Sequence, residues 1–241
     1  MEVTQMRKLI SLLLCFLFPS AYAMADAATI MVASDLHYCA PSLYEGSDLF
    51  VRSIQQGDRK VVHQSTELLR ALLDQARRIR PDALVLTGDL TFNGEKQSHL
   101  ELAAALETLV DEGIAVYVLP GNHDINIPSP VGFTASGWYT VPAVDEEAFQ
   151  DIYRHFMLES AEGANFSYAV PVSDQLWLAV TDVAYYKEQA QTFGVYTAGH
   201  SRWLRQVLEE AKAQGVEVIT SSHQNLIAHT SFSRDSYLML G

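Results

Sequence analysis

Cysteine and basic residues are scarce in this sequence, and each shortage excludes a class of protein. Two cysteines occur among 241 residues, and Cys15 lies in a leader that we expect to be removed, so Cys39 has no intramolecular disulfide partner. Lys and Arg together number 16 against 29 Asp and Glu, which gives a net charge of −13. A chain this acidic is repelled by polyanions, so a basic nucleic-acid surface is excluded. Any phosphate that binds must be attracted by concentrated positive charge, for which metal ions are the obvious source.

Residues 1–25 are predicted to be a signal peptide. Arg7 and Lys8 precede an apolar run over residues 9–18, which is too short to span a bilayer comfortably. A small-x-small pattern follows, so we expect cleavage after Ala23 or Ala25 and no stable membrane insertion afterwards; an uncleaved anchor is the alternative. These features predict an exported protein, located in the periplasm, the cell envelope or the extracellular space.

The remainder, residues 26–241, is predicted to be one globular domain. The whole sequence is 49% hydrophobic and 19% charged, and it is long enough to bury a substantial core. Short apolar runs alternate with segments whose leucines recur at helical spacing, which predicts an α/β fold with a largely parallel sheet. Polar segments at 39–58 and 125–142 predict long loops. The predicted strands are 29–33, 83–86, 114–119, 166–170, 176–181 and 216–219, and the predicted helices are 61–80, 97–110, 145–159 and 201–214.

Polar residues that can bind metal follow four of the predicted strands. Residues two apart in an extended chain point to the same side, so Asp35 and His37 can converge on one point. Ligands of open α/β sheets bind beyond the carboxyl ends of the strands, where all four clusters are predicted to lie. Asp-x-His, Gly-Asp and a lone His are common by chance and Gly-Asn-His-Asp is rarer, so the occurrence of all four in order at strand ends is what indicates a site. The clusters are Asp35-Leu36-His37, Gly88-Asp89, Gly121-Asn122-His123-Asp124 and His223.

In this order the four clusters resemble the signature of the calcineurin-like metallophosphoesterase family. Three longer segments resemble the exported bacterial branch of that family, which is related to cyclic-nucleotide phosphodiesterases. The similarity runs from about Ile30 to Gly241. It implies a four-layer α/β/β/α sandwich with two metal ions at the rim between two sheets. The three segments are Ser34-Asp35-Leu36-His37-Tyr38, residues 88–96 and Ser222-His223-Gln224-Asn225-Leu226.

The resemblance also implies which residues bind the two metal ions. Asp35 and His37 would bind the first ion, Asn122 and His223 the second, and Asp89 would bridge both. Carboxylate oxygen, amide oxygen and imidazole nitrogen suit ions such as Mn, Fe or Zn. Two ions held by one carboxylate both lower the pKa of a shared water, which gives a hydroxide near neutral pH. The neutral amide of Asn122 adds no negative charge, so the centre stays cationic enough to attract phosphate.

The implied reaction is hydrolysis of a small phosphate ester by that hydroxide. His123 would face the phosphate and donate a proton to the departing alkoxide or stabilise its charge, and Asp124 would orient its ring. The branch resemblance implies a phosphodiesterase that acts on cyclic nucleotides or similar diesters. A phosphomonoesterase such as a nucleotidase is the alternative, because the same metal centre serves both reactions. The sequence gives no indication of oligomeric state.

One part of the family pattern has no counterpart in this sequence. The pattern ends with Gly-His-x-His, which supplies one further ligand to each metal, and no such segment occurs here. We therefore expect a domain that is incomplete at its C-terminus. A catalytically impaired fragment that binds one metal weakly is the alternative to an active enzyme.

A few polar residues outside these motifs are weaker candidates. His63 and His99 lie on predicted helices, and we expect them to face solvent or pack at helix edges. Gly199-His200 begins like the missing motif, but a helix start is the preferred interpretation. Asn93 lies near the second motif and is a candidate to shape the substrate pocket. His229 is close enough in sequence to His223 to approach a substrate, although we do not predict that it does.

Overall fold

The computed structural model describes residues 27–44, 47–57, 60–186, 192–228 and 239–240. The predicted signal peptide and His229 fall outside the described residues. No helix in the described part of the chain has the length and apolar character needed to cross a membrane. In chain order the elements are β1 (Ile30–Ala33), α1 (Asp48–Gly57), α2 (Ser65–Ile79), β2 (Ala83–Thr87), α3 (Lys96–Asp111), β3 (Val116–Leu119), β4 (Val131–Phe133), β5 (Trp138–Thr140), α4 (Glu146–Tyr153), β6 (Tyr168–Ser173), β7 (Leu176–Val180), β8 (Gly194–Val195), α5 (Ala198–Gln214), β9 (Glu217–Ser221) and β10 (Met239–Leu240).

Three parallel strands form the first sheet, and the predicted α/β class is confirmed. β2 lies between β1 and β3, with Val85 opposite Val32 on one side and Tyr117 on the other. Leu84 and Leu86 of β2 point toward α2 and α3 and share a large apolar core with the leucines of those helices. Because the three strands are parallel, their carboxyl ends meet at one edge of the sheet, and the first three motifs begin there.

The second sheet packs on the other face of β2. It contains β6, β7 and β9, with β6 antiparallel to β7 and β9 parallel to it. Val85 of β2 and Val180 of β7 lie in the core between the sheets. Side chains alternate along a strand, so Ala179 faces the opposite side of β7, where it packs with Trp203 and Val207 of α5. The contacts thus run from α2 and α3 through both sheets to α5.

The start of α5 explains the Gly199-His200 dipeptide. The Thr197 hydroxyl accepts hydrogen bonds from the backbone N–H groups of Gly199 and His200, and Nδ1 of His200 accepts one from the Thr197 N–H. This reciprocal pair satisfies N–H groups that have no partner inside the helix. Nε2 of His200 lies 2.7 Å from the carbonyl oxygen of Asp182. The prediction of a helix start at Gly199-His200 is confirmed.

Three boundaries differ from the sequence predictions. Residues 39–58, predicted as a loop, contain α1, which buries Phe50 and Ile54 one turn apart. The helix is short, follows Gly46 and ends at Gly57, and glycines are typical of loops, so its apolar face was not recognised. Residues 125–142, also predicted as a loop, contain the antiparallel pair β4 and β5. α4 ends at Tyr153 rather than near residue 159, because the chain turns so that the carbonyl of Phe156 accepts the Val118 N–H.

Candidate metal centre

The loops after β1 and β2 continue side by side beyond the sheet and bring the first two motifs together. The Asp35 N–H donates to the Gly88 carbonyl at 3.1 Å, and the His37 N–H donates to the Asp89 carbonyl at 2.9 Å. The loop after β3 joins them, since the His123 N–H donates to the Asp89 carboxylate at 2.9 Å. Hydrogen bonds donated by backbone N–H groups therefore fix the relative positions of three motifs without the help of a metal ion.

His223 is the predicted site residue that comes from the second sheet. Its Nδ1 lies 2.8 Å from the carbonyl oxygen of Thr87. A carbonyl only accepts, so Nδ1 carries a proton, and whenever the ring is neutral the lone pair is on Nε2. Nε2 faces the other motifs, 3.3 Å from Oδ1 of Asp89 and 3.2 Å from Oδ1 of Asn122. This orientation is the one that a metal-binding imidazole needs.

All five residues predicted to bind metal lie together at the carboxyl ends of the strands. Nε2 of His37 is 3.5 Å from the Asp89 carboxylate and 3.9 Å from that of Asp35. One ligand atom each from Asp35, Asp89 and His223 lie within 4.8 Å of one another. We call these five residues the metal cluster: Asp35, His37, Asp89, Asn122 and His223.

Three members of the metal cluster have an uncommon backbone conformation. Asp35, His37 and Asp89 have φ angles of 55°, 41° and 49°, in the left-handed region that side chains normally avoid. Such residues are found where the surrounding structure holds them in place, and they concentrate at functional sites. Here the conformation turns each side chain into the crevice directly after its strand.

Two glycines of the motifs are required by close contacts with the metal cluster. A Cβ atom on Gly121 would overlap the backbone nitrogen and the carboxylate of Asp89. Gly88 has a φ of 90°, and a Cβ there would lie 2.7 Å from Nδ1 of His223. The absence of a side chain at these two glycines therefore lets the loops of the metal cluster approach each other.

The pKa values within the metal cluster show how strongly its members interact. Burial alone would raise the pKa of the Asp89 carboxyl, but the hydrogen bond and charge of His223, followed by the charges of His123 and His37, hold it well below its usual range. Burial would lower the pKa of His223, yet the hydrogen bond and charge of Asp89 raise it to about 9. Burial lowers the pKa of His37 to about 4. Asp89 is therefore the anionic centre of the cluster.

His123 lies beside the metal cluster with its ring fixed by the loop after β2. Its Nδ1 is 3.0 Å from the carbonyl oxygen of Phe92 and 2.9 Å from Oδ1 of Asn93. The carbonyl requires Nδ1 to donate, so Nε2 is the ring nitrogen available to a substrate. The rings of His123 and His37 meet edge to face, with centroids 5.0 Å apart.

Asp124 makes contacts different from the predicted ones. We predicted that it orients the ring of His123, but its carboxylate accepts hydrogen bonds from the backbone N–H groups of Leu90, Thr91 and Gly121. Asp124 therefore joins the loops that carry Asp89 and Asn122 by accepting hydrogen bonds from their backbone N–H groups. Sequence alone could not distinguish these roles, because both need a carboxylate next to His123.

His99 supports Asp124 and is fully buried, so the expectation that it faces solvent or packs at a helix edge is wrong. Its Nε2 lies 3.1 Å from the Thr91 hydroxyl and 3.0 Å from the Asp124 carbonyl oxygen, and its Nδ1 lies 2.9 Å from the Tyr153 hydroxyl. Burial lowers the pKa of His99 to about 3, so the ring is neutral. We call Thr91, His99, Asp124 and Tyr153 the Asp124 clasp.

The metal cluster opens into a cavity of about 370 Å³. Its walls include residues that the sequence patterns did not indicate, among them Lys60 and Thr192. Lys60 is in a polar segment without a recognisable motif, so only the folded chain could place it near the cluster. Asn93 was a weak candidate from sequence, and its contact with His123 places it next to a residue that lines this cavity.

The donor set of the metal cluster fits two metal ions. Two carboxylates, two imidazoles and one amide oxygen are the ligand types that Mn, Fe and Zn share. The carboxylate of Asp89 has both oxygens directed at other members of the cluster, which suits a bridging ligand. Nδ1 of His37 is buried without a hydrogen-bond partner in the described part of the chain. The residues present are therefore compatible with a two-metal centre.

The sequence profile of the calcineurin-like phosphoesterase family matches residues 28–237. The chain belongs to this family. As a calcineurin-like phosphoesterase it is a metal-dependent phosphoric ester hydrolase, and the motif loops described above lie within the matched residues.

A solved structure supports the fold of this calcineurin-like phosphoesterase. The chain is similar to the crystal structure of a dimetal phosphatase from Danio rerio, with a TM-score of 0.55 and 15% sequence identity. The match covers 83% of this chain and 70% of the other. At this identity the likeness concerns the fold alone. No curated protein matches the sequence significantly.

Proposed function

We propose that the protein hydrolyses small phosphate diesters at the metal cluster, with cyclic nucleotides as the preferred class. The observation that carries the proposal is the convergence of four further oxygen and nitrogen ligands around the Asp89 carboxylate, with His123 beside them. Two ions bound there would lower the pKa of a water and neutralise the phosphate oxygens. The ions are drawn from Mn, Fe and Zn, which share this donor set.

Each member of the metal cluster has a proposed role in this chemistry. Asp35 and His37 hold one ion, Asn122 and His223 hold the other, and Asp89 binds both. The Thr87 carbonyl supports the role of His223, because it keeps the proton on Nδ1 and leaves Nε2 for metal. The motif glycines then keep the two loops close enough for Asp89 to reach both ions.

His123 is proposed to act on the leaving group. The Phe92 carbonyl and the Asn93 side chain hold its Nδ1, so Nε2 points away from the protein backbone. From this position Nε2 can donate a proton to a departing alkoxide or stabilise its negative charge. This role requires no direct contact with metal, in keeping with its position beside the cluster.

The preference for diesters rests on the resemblance of three motif segments to the branch related to cyclic-nucleotide phosphodiesterases. A phosphomonoesterase is the second candidate, and the dimetal phosphatase that shares the fold favours it. The two are separated by assays of cyclic AMP, bis(4-nitrophenyl) phosphate and 4-nitrophenyl phosphate with Mn²⁺. We expect turnover of the two diesters, and turnover of the monoester alone would refute the diesterase proposal.

Metal content tests whether the chain is an enzyme or an impaired fragment. We expect about two ions per chain by mass spectrometry after incubation with Mn²⁺, as in other two-metal sites. One ion or none would favour the fragment that the absent Gly-His-x-His motif suggests. We further propose that the protein is exported, on the basis of its predicted signal peptide, and fractionation of cells that express the full chain tests this.

A further inference from the structure

A second cavity adjoins the cavity of the metal cluster. It has a volume of about 340 Å³, within the size range of small-molecule sites. The two cavities share Asp35, His37 and Lys60 as lining residues. A molecule with one end at the metal cluster therefore has a neighbouring space for its other end.

The walls of the second cavity are mainly apolar. Leu36, Val61, Val62 and Leu68 line it. Val62 is 2% exposed and forms part of the packed core, whereas Val61 and Leu68 are 50% and 48% exposed. Large apolar side chains that stay accessible beside a polar site are typical of ligand-binding surfaces. The metal cluster alone gives no reason for this apolar surface.

Lys60 lies at the border of the two cavities. It is the only Lys or Arg among the described residues that line either of them. It lines the cavity of the metal cluster together with Asp35 and His37. A positive charge at this position attracts an anion bound at the cluster.

We propose that the second cavity binds the organic part of the phosphate ester and that Lys60 binds its phosphate group. The substrates selected in this way are esters whose organic part presents an apolar ring face, as the base of a cyclic nucleotide does. This assignment rests on the proposed function, because it takes the phosphate to lie at the metal cluster. The ring contacts Val61 and Leu68, and the ammonium of Lys60 meets a phosphate oxygen that faces away from the cluster.

Binding of two phosphonates to the Mn²⁺-treated chain tests the cavity without any need for turnover. Phenylphosphonate and methylphosphonate carry the same anionic group and differ in the apolar part, and neither is hydrolysed. By calorimetry we expect phenylphosphonate to bind about 10-fold more tightly, as is usual for a small apolar group in a matching pocket. Equal dissociation constants for the two ligands would overturn the proposal.

Substitutions in the walls of the second cavity test whether the preference for phenylphosphonate arises there. L68S should bring the two dissociation constants within about 2-fold of each other, because it removes an apolar wall of the cavity. I79S is the matched control, since Ile79 is similarly exposed at 44% on the same helix but does not line the cavity. V61S is a second test in a different segment. If both L68S and V61S kept the full preference for phenylphosphonate, the second cavity would not be the site that binds the apolar group.

The role of Lys60 has a separate signature. K60Q should weaken both phosphonates by about 10-fold, the size of a charge-assisted hydrogen bond, and leave their ratio unchanged. K60R should restore most of the affinity, and metal content should not change in either variant. Unchanged affinity for both phosphonates in K60Q would exclude Lys60 from phosphate binding.

Turnover of bis(4-nitrophenyl) phosphate distinguishes failure of this proposal from failure of the proposed function. A chain that prefers phenylphosphonate but hydrolyses no ester has the cavity without the enzyme activity. A chain that hydrolyses the ester but binds both phosphonates equally has the activity without the cavity.

Discussion

The metal cluster and the Asp124 clasp meet at the loops after β2 and β3, but the clasp is fully buried whereas Asp35 of the cluster is exposed, and their contacts differ in kind. In the clasp, the Asp124 carboxylate accepts three backbone N–H groups and the Thr91 hydroxyl. In the metal cluster, the imidazoles of His37 and His223 face the Asp89 carboxylate at 3.5 Å and 3.3 Å. The clasp is a closed hydrogen-bond network, whereas the cluster gathers imidazole, carboxylate and amide ligand atoms around an anionic centre.

This difference separates structural from functional polar residues. A buried carboxylate surrounded by donors within one network stabilises a single backbone arrangement. A buried carboxylate surrounded by imidazoles and a second carboxylate depends on a cation for full compensation. The tetrapeptide Gly121-Asn122-His123-Asp124 serves both purposes, since Asn122 belongs to the cluster and Asp124 to the clasp. The predictions that follow test this division, from the largest expected effect to the smallest.

The largest effect is expected for D89N. One carboxylate serves both ions in the proposed centre, so its loss should remove both, and mass spectrometry should find metal content near zero in place of about two ions per chain. D111N, at the exposed end of α3, is the matched control and should keep its metal. Full metal content in D89N would show that the bridging role is wrong.

H123A should separate catalysis from metal binding. We expect normal metal content, because His123 lies beside the cluster, but a kcat about 100-fold lower, because general acid catalysis by a positioned histidine contributes on this scale. H155A is the control, since His155 is an exposed histidine paired with Glu107. Unchanged kcat in H123A would remove it from the mechanism.

D124N should affect folding rather than ligand identity. The amide group of Asn cannot accept all the N–H groups that the carboxylate accepts, so the free energy of unfolding should fall by about 4 kcal/mol. The measurement is urea unfolding in the presence of EDTA, which removes the contribution of bound metal. D151N, on the exposed face of α4, should change stability little. A D124N chain as stable as the parent would mean that the clasp does not hold the loops.

The smallest effect concerns Glu95, a buried carboxylate with too few donors. One of its oxygens accepts the Asn93 N–H, the other has no partner in the described part of the chain, and burial raises its pKa from 4.5 to about 7. The pKa of Glu95 is higher in the folded than in the unfolded chain, so protonation of Glu95 stabilises the fold. This stabilisation is complete below pH 4.5 and is lost as the pH rises to 7. Stability should therefore fall by about 2 kcal/mol between pH 5 and pH 8 through Glu95 alone.

E95Q should remove this part of the pH dependence, because a neutral side chain has no proton to lose. Denaturant unfolding at several pH values, with EDTA present, measures it. E147Q, at an exposed position in α4, is the control and should keep the slope of the parent. If the free energy of unfolding of E95Q fell with pH as steeply as that of the parent between pH 5 and pH 8, the assignment of this pH dependence to Glu95 would be wrong.

Much of the fold and the site could be predicted because local signals and topology agree. Parallel strands bring their carboxyl ends to one edge, so Asp35, Asp89 and Asn122 could be placed together from strand order alone. His223 could be added because it follows a strand of its own. The buried face of α1 was missed, because the helix is short and its apolar residues lie within a segment with Pro41, Gly46 and Gly57, which are typical of loops.

The partners of individual side chains could not be predicted. His99 lies on an amphipathic helix, and nothing in its spacing shows that its ring bonds to Thr91 and Tyr153. Lys60 reaches the site through the path of the chain between α1 and α2, which no local pattern specifies. These contacts depend on how distant segments meet, and short-range sequence patterns carry no information about that.

The contact between Gly121 and Asp89 has a consequence for natural variation in this gene. An alanine at position 121 would force apart the loops that carry Asp89 and Asn122, although every ligand would still be encoded. A missense allele of this kind would be scored as harmless by any survey that checks only ligand identity. Function here depends on the absence of a side chain at Gly121 as much as on the five ligands of the metal cluster.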